Sequence, residues 1–202
     1  MWDGYLFAAA EFIEAHSEVK AKIVIDRFHV AKNYRDGFDQ LRKQEFRRLR
    51  QELSQESYDE IVKGHHWTLR RNHAQLDEHS RTALRRLFGH SNALHQAYSL
   101  REELTAIFNL PLTIAQGKER INRWVTKVER SGVTCFDKFI KTVGNHFENI
   151  ANYFHHRSSS GFVEGLNNKL KVVTRRSYGL TRNDSLFSRL WLDLCGYQRF
   201  CS

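Results

Sequence analysis

Apolar residues recur along most of this chain at the three-and-four spacing of helices that bury one side. Tyr5, Ala9, Phe12 and Ile13 give such a stripe between Trp2 and about His16. The pattern breaks at Lys22–Asp26, where Ile23-Val24-Ile25 is a β-branched run with the signature of a short buried strand. From Phe28 the helical period returns with Ala31, Tyr34, Phe38 and Leu41, extended by Leu49 and Leu53. The opposite side of that helix carries Arg42, Lys43, Arg47, Arg48 and Arg50.

From Ser54 to Ile150 the pattern predicts only helices. Trp67-Thr68-Leu69 opens a short one, Leu84, Leu87 and Phe88 mark another, and Leu94, Ala97, Tyr98, Leu104, Ile107 and Phe108 a long one that Pro111 ends or kinks. Ile121, Trp124, Val125 and Val128 form the next stripe, and Phe136, Phe139, Ile140, Val143, Phe147 and Ile150 the last. Aromatics at these spacings read as core. The run from His155 to Gly161 has turn character. Two further helices are predicted at Phe162–Arg176 and Asp184–Cys195, separated by Tyr178-Gly179-Leu180, with Asn183 or Asp184 able to cap the second.

A single strand cannot form a sheet, because its backbone donors and acceptors need neighbours. The run at Lys22–Asp26 therefore implies partners that this sequence does not supply, and the chain is expected to be the remainder of a longer protein.

Composition agrees with a helical protein. The 202 residues are 41% hydrophobic and 12% aromatic, enough for a real core, while one proline and 11 glycines are few for an all-β fold. A formal charge of +9 and a pI near 9.6 point to a polyanionic partner, most often nucleic acid, although a basic surface without function has the same composition. No apolar run approaches the ~20 residues of a membrane span, so no membrane partner and a cytoplasmic location are expected. Cys135, Cys195 and Cys201 include no C-x-x-C pair, which argues against a disulfide scaffold or structural zinc. His65-His66 and His155-His156 lack the i, i+4 spacing of a helical zinc site.

Candidate chemistry lies at two places. On the helix from Phe162, the residues Phe162, Leu166, Leu170 and Val173 share an inward face. Glu164, Asn168, Lys171 and Arg175 share the nearly opposite one. A hard cation prefers an oxygen ligand such as Glu164, and Lys171 and Arg175 can hold phosphates beside it. Asn167, Lys169 and Arg176 broaden that polar surface. Equally, Glu164 is an ordinary acid in the first turn of an amphipathic helix. Asp26 stands at the carboxyl end of the expected strand, where open α/β sheets bind ligands, or else caps the helix that follows. Arg27 and His29 are candidate DNA contacts beside it, His29 being readable also as a packed or solvent-exposed histidine.

At these residues the sequence resembles the bacterial insertion-sequence transposases of the ISL3 type. Met1–Tyr5, Asp26–Asn33 and the long run Gly161–Gly179 carry the likeness, and the helical stretch between them shares it at Trp67, Ala97-Tyr98, and Phe139 with Lys141. The resemblance implies an α/β RNase H-like DDE catalytic domain interrupted by a large all-helical insertion and predominantly helical overall. It divides the chain into a remnant of the first half at 1–35, the insertion at 36–150 and the C-terminal part at 151–202. Asp26 matches the family's second aspartate and Glu164 its glutamate. Together with a first aspartate they would bind two Mg²⁺ or Mn²⁺ ions for cleavage and strand transfer of DNA.

The resemblance further implies transposon ends and target DNA as partners, and a homo-oligomer in the active complex. In family members the first aspartate directly precedes the methionine that is Met1 here. An N-terminally truncated fragment, inactive or impaired alone, is therefore expected. The alternative is a non-catalytic helical module that binds DNA or a transposase.

Overall fold

In the computed structural model, residues 2–16, 18, 20–157, 161–176 and 182–200 are described. They form two units, residues 1–158 and 159–202. Among the described residues there is no strand, and no helix is long and apolar enough to cross a membrane.

The first unit holds nine helices among its described residues. They are α1 (Trp2–Ala15), α2 (Arg27–Glu52), α3 (Gln55–Ile61), α4 (His65–Thr68), α5 (Glu78–His90), α6 (Asn92–Asn109), α7 (Ile114–Ser131), α8 (Asp137–Ala151) and α9 (Tyr153–His156), with 3₁₀ turns at His73–Gln75 and Thr134–Phe136. Boundary residues explain most of the breaks. Asp26, Ser54, Asp77, Ser91 and Thr113 each accept a backbone N–H at a helix start, and Thr113 with Gln116 completes a reciprocal capping box. Gly132 (φ 71°) ends α7 in the left-handed conformation that glycine adopts without cost.

Helix α2 runs straight across position 35, so residues 1–35 and 36–150 share one continuous element. The long helices α2, α6, α7 and α8 pack around a single apolar cluster. Trp124 is fully buried, donates Nε1–H to the Leu100 carbonyl at 2.8 Å and meets Phe136 and Phe139 edge-on. Tyr34 and Thr105 hydroxyls bond across α2 and α6 at 2.9 Å. The close approach of α2 to the Thr134–Phe136 turn requires Gly37, where a Cβ would lie 2.1 Å from the Cys135 carbonyl oxygen. Burial pushes the Cys135 thiol up to about 12, which leaves it a packed, unreactive group. Arg101, 2% exposed, donates to the carbonyls of Leu69 and Arg71 and pairs with Glu102, beneath the rings of Phe38 and Tyr98. It thereby ties the segment after α4 to the core.

Three expectations are corrected. Lys22–Asp26 forms no strand. Lacking a neighbouring strand, it bonds instead to α8 and the residue that caps it: Ile25 N–H donates to the Asn149 carbonyl at 2.9 Å, and the Ile23 carbonyl accepts from Asn152 Nδ2 at 3.0 Å. In α1, Phe12 is exposed and stacks on His16, while Leu6, Ala9 and Ile13 form the half-buried side. His155 and His156 belong to α9, so turn character begins only at Arg157 (φ 52°).

The second unit consists, among its described residues, of α10 (Gly161–Arg176) and α11 (Asn183–Phe200), which pack on each other. Lys169 Nζ spans them, bonding the Asp193 carbonyl at 2.9 Å and its carboxylate at 3.2 Å. Helix α11 starts at Asn183, which puts Asp184 in its first turn, where its charge opposes the helix dipole favourably. The expected separator Tyr178-Gly179-Leu180 lies outside the described residues.

Candidate functional site

Asp26 is 6% exposed and caps α2. Its Oδ1 accepts the Phe28 N–H at 2.7 Å, and its own carbonyl accepts the N–H groups of His29 and Val30. The carboxylate therefore takes the role in helix initiation that its position before Phe28 allows, and not that of a strand-end acid. Its surroundings come from distant parts of the sequence. Arg27 donates Nη1–H to Asn109 Oδ1 at 2.9 Å, and Arg157 donates to the Asn109 and Phe108 carbonyls at 3.0 and 3.3 Å. The C-terminus of α6 thus meets the start of α2 through Arg27 and the end of α9 through Arg157. His29 is exposed, and its carbonyl accepts from Asn33 Nδ2 at 3.4 Å.

The other predicted residues lie on α10. Val173 is buried, with Leu170 and Leu166 half-buried one and two turns before it. Asn167, Asn168, Lys171, Arg175 and Arg176 are exposed. Glu164 is placed in the first turn of α10, but its side chain lies outside those described, as do those of Phe162 and Val163. Lys169 departs from the expected polar surface, since its ammonium is drawn onto α11 by Asp193. Asp26 and Glu164 fall in different units.

Among the described residues, no three His, Cys, Asp or Glu side chains are grouped to hold a metal ion. Asp26 supplies the hard oxygen chemistry that a divalent cation needs, but only one such carboxylate, with Oδ1 engaged in capping. The described side chains therefore do not by themselves make a metal centre.

Asn109, Asn149, Asn152 and Arg157 went unmarked in the sequence. Nothing in their local pattern distinguishes them, because their roles arise from contacts with residues far away in the chain. Trp67 is a different case. Its spacing reads as core, yet it is 63% exposed. The signal was its company, His65-His66 before it and Arg70-Arg71 after, which leaves a helix of four residues without an apolar face to bury.

The sequence model of a transposase family of the ISL3 type matches residues 1–190. The chain is 31% identical over 179 residues to the transposase for insertion sequence element IS1001 of Bordetella parapertussis, covering 88% of this chain and 43% of that protein. It is 26% identical over 137 residues to the transposase for insertion sequence element IS1557 of Mycobacterium tuberculosis, covering 68% of this chain and 30% of that protein. No solved structure matches. The chain thus spans less than half the length of these relatives, while the family match takes in the segments of both Asp26 and Glu164. It belongs to the ISL3-type transposase family.

Proposed function

We propose that this chain acts in the transposition of an insertion sequence, contributing two of the carboxylates of a metal-dependent DNA cleavage and strand-transfer site. The observation that carries this reading is the family match across residues 1–190, which includes both acid-bearing segments. Asp26 and Glu164 are the residues that would hold Mg²⁺ or Mn²⁺. Such ions, when bound, supply activation of a water or a 3′-hydroxyl and stabilisation of the leaving oxygen. The chain's own contribution is positional. Capping fixes the Asp26 carboxylate at the start of α2, and Arg27 is held beside it through Asn109. Asn168, Lys171 and Arg175 present amide and cationic groups to solvent on α10, suited to phosphate oxygens.

In this reading residues 36–150 are the insertion of an RNase H-like domain, and the working complex is a homo-oligomer on transposon ends and target DNA. The capping of α2 by Asp26 supports a second reading, in which the acid is structural and the chain is a helical module that binds DNA or another transposase.

The test uses this chain fused to the part of the Bordetella parapertussis relative that lies outside the match, assayed for Mg²⁺-dependent cleavage of insertion-sequence ends. Asparagine caps helices as well as aspartate does, so Asp26→Asn removes the charge while keeping the fold. Asp26→Asn and Glu164→Gln should each reduce cleavage at least about a hundredfold with DNA affinity unchanged. Cleavage that survives both substitutions would sink the catalytic reading and leave the second.

A further inference from the structure

The geometry points to a binding surface for a single DNA strand on α2, α3 and α4, in the part of the chain between the two acids. Between these helices lies an open cleft of about 410 Å³ whose lining includes Arg42, Phe46, Arg50, Tyr58, Lys63 and His66. Such a volume is within the range of small-ligand sites. Cations dominate its chemistry. Arg42, Lys43 and Arg70 share one carboxylate, Asp39, at 2.9, 3.2 and 3.2 Å, and Lys63 sits 3.2 Å from Asp59. Arg50 makes no ion pair among the described residues. Of the charged residues that line the cleft, Arg42, Arg50 and Lys63 are cations and Asp59 is a carboxylate, so positive charge is left over for an anion.

The aromatic content separates this surface from an ordinary basic face. Three arginines lie over three rings: Arg42 over Phe46 and Arg70 over Trp67 at 5.2 Å, and Arg50 over Tyr58 at 5.4 Å. A guanidinium stacked on a ring is fixed in orientation and keeps its edge N–H groups for phosphate oxygens. Trp67 is 63% exposed, whereas Trp124 in the same unit is fully buried. The tryptophan is held at the surface by the Arg70 guanidinium and by the His66 ring 4.9 Å away, on a helix entered through Gly64 (φ 84°). Arg70, bonded to Asp39 together with Arg42, connects the tryptophan to the cleft.

An exposed, positioned indole beside a cationic track is the arrangement that receives an unstacked base with its phosphates. A duplex offers the phosphates but keeps its bases stacked inside, so it would use the cations and leave Trp67 idle. Family membership selects DNA among nucleic acids. Neither Asp26 nor Glu164 takes part, so this surface goes beyond the metal-dependent reading and does not depend on it.

The test measures binding of the whole chain to a labelled oligothymidylate and to a blunt duplex of equal length, by fluorescence anisotropy in EDTA across a salt series. Trp67→Ala should weaken single-strand binding about tenfold and duplex binding less than twofold, with Trp67→Phe recovering most of the loss. Arg50→Ala should lower the single-strand log–log salt slope by about 0.7. Because binding is measured in EDTA, with no divalent ion for a cleavage site, this outcome is separate from failure of the catalytic reading. Because Trp67 is exposed, an unchanged unfolding midpoint shows that the fold survives its replacement. The proposal is overturned if Trp67→Ala affects duplex and single strand alike or neither. Competition by polyglutamate as effective as by oligothymidylate would overturn it as well, showing a dock for an acidic protein.

Discussion

On α7, Ile121, Trp124 and Val128 are all but completely buried; on α11, Phe187, Trp191 and Leu194 stand 63%, 44% and 50% exposed at the same helical spacing. Both helices carry apolar residues at helical spacing, those of α7 confined to one side and those of α11 extending beyond the side of buried Leu190 and half-buried Leu186. The difference comes from what each stripe meets. Helix α7 has α6 and α8 against it, with Phe136 and Phe139 shaped around the indole of Trp124. Helix α11 has α10, which takes Lys169 to Asp193 at its polar edge. An amphipathic pattern thus states that a helix has an apolar side, whereas burial of that side depends on a second surface of matching shape.

The largest test of this comparison is Trp124→Ala. It removes the centre of an aromatic group and the bond to Leu100, and should cost about 4 kcal/mol of stability in denaturant unfolding. A loss below about 1 kcal/mol would mean that the first unit does not depend on this cluster.

A smaller effect is expected on the outer side of α2. Hydrogen bonding from Arg42, with Lys43 and Arg70 adding to it, holds the Asp39 carboxyl well below the usual carboxylate range. Glu45 is lowered in the same way by Arg48 and then by Ser91. A carboxyl depressed in the folded state adds stability that is complete above its unfolded pKa and lost as the pH falls through the folded value. Stability should therefore decline below about pH 4, and Asp39→Asn should flatten that decline while costing about 1 kcal/mol at neutral pH. Urea midpoints collected from about pH 2.5 to 7 decide it.

The smallest effect belongs to α11. Phe187→Ser should change stability by less than about 0.5 kcal/mol, as expected of a side chain with little burial to lose. A cost near that of a core residue would show that α11 is covered in solution and would break the contrast with α7.

Much of the helical layout was legible because period and caps are local properties. The stripes through Tyr34 and Phe38, Leu94 to Phe108, Ile121 to Val128 and Phe136 to Ile150 are buried or half-buried as their spacing predicts, and α6 ends two residues before Pro111. The inward face of α10 through Val173 and its exposed Asn168, Lys171 and Arg175 follow the same rule. Ile23-Val24-Ile25 misled because β-branched residues favour a strand only where another strand lies alongside, and α8 stands there instead. Phe12 and Trp67 misled because spacing identifies an apolar side without establishing that anything covers it.

The sequence by itself determined that the chain is helical and basic, and its motifs determined the transposase family, since these depend on residue identity and order alone. Only the tertiary structure decided that Arg27 is held through Asn109 beside Arg157. It alone left Trp67 in solvent among arginines. These outcomes rest on contacts between residues far apart along the chain, fixed only when the helices pack and their buried polar groups must find partners.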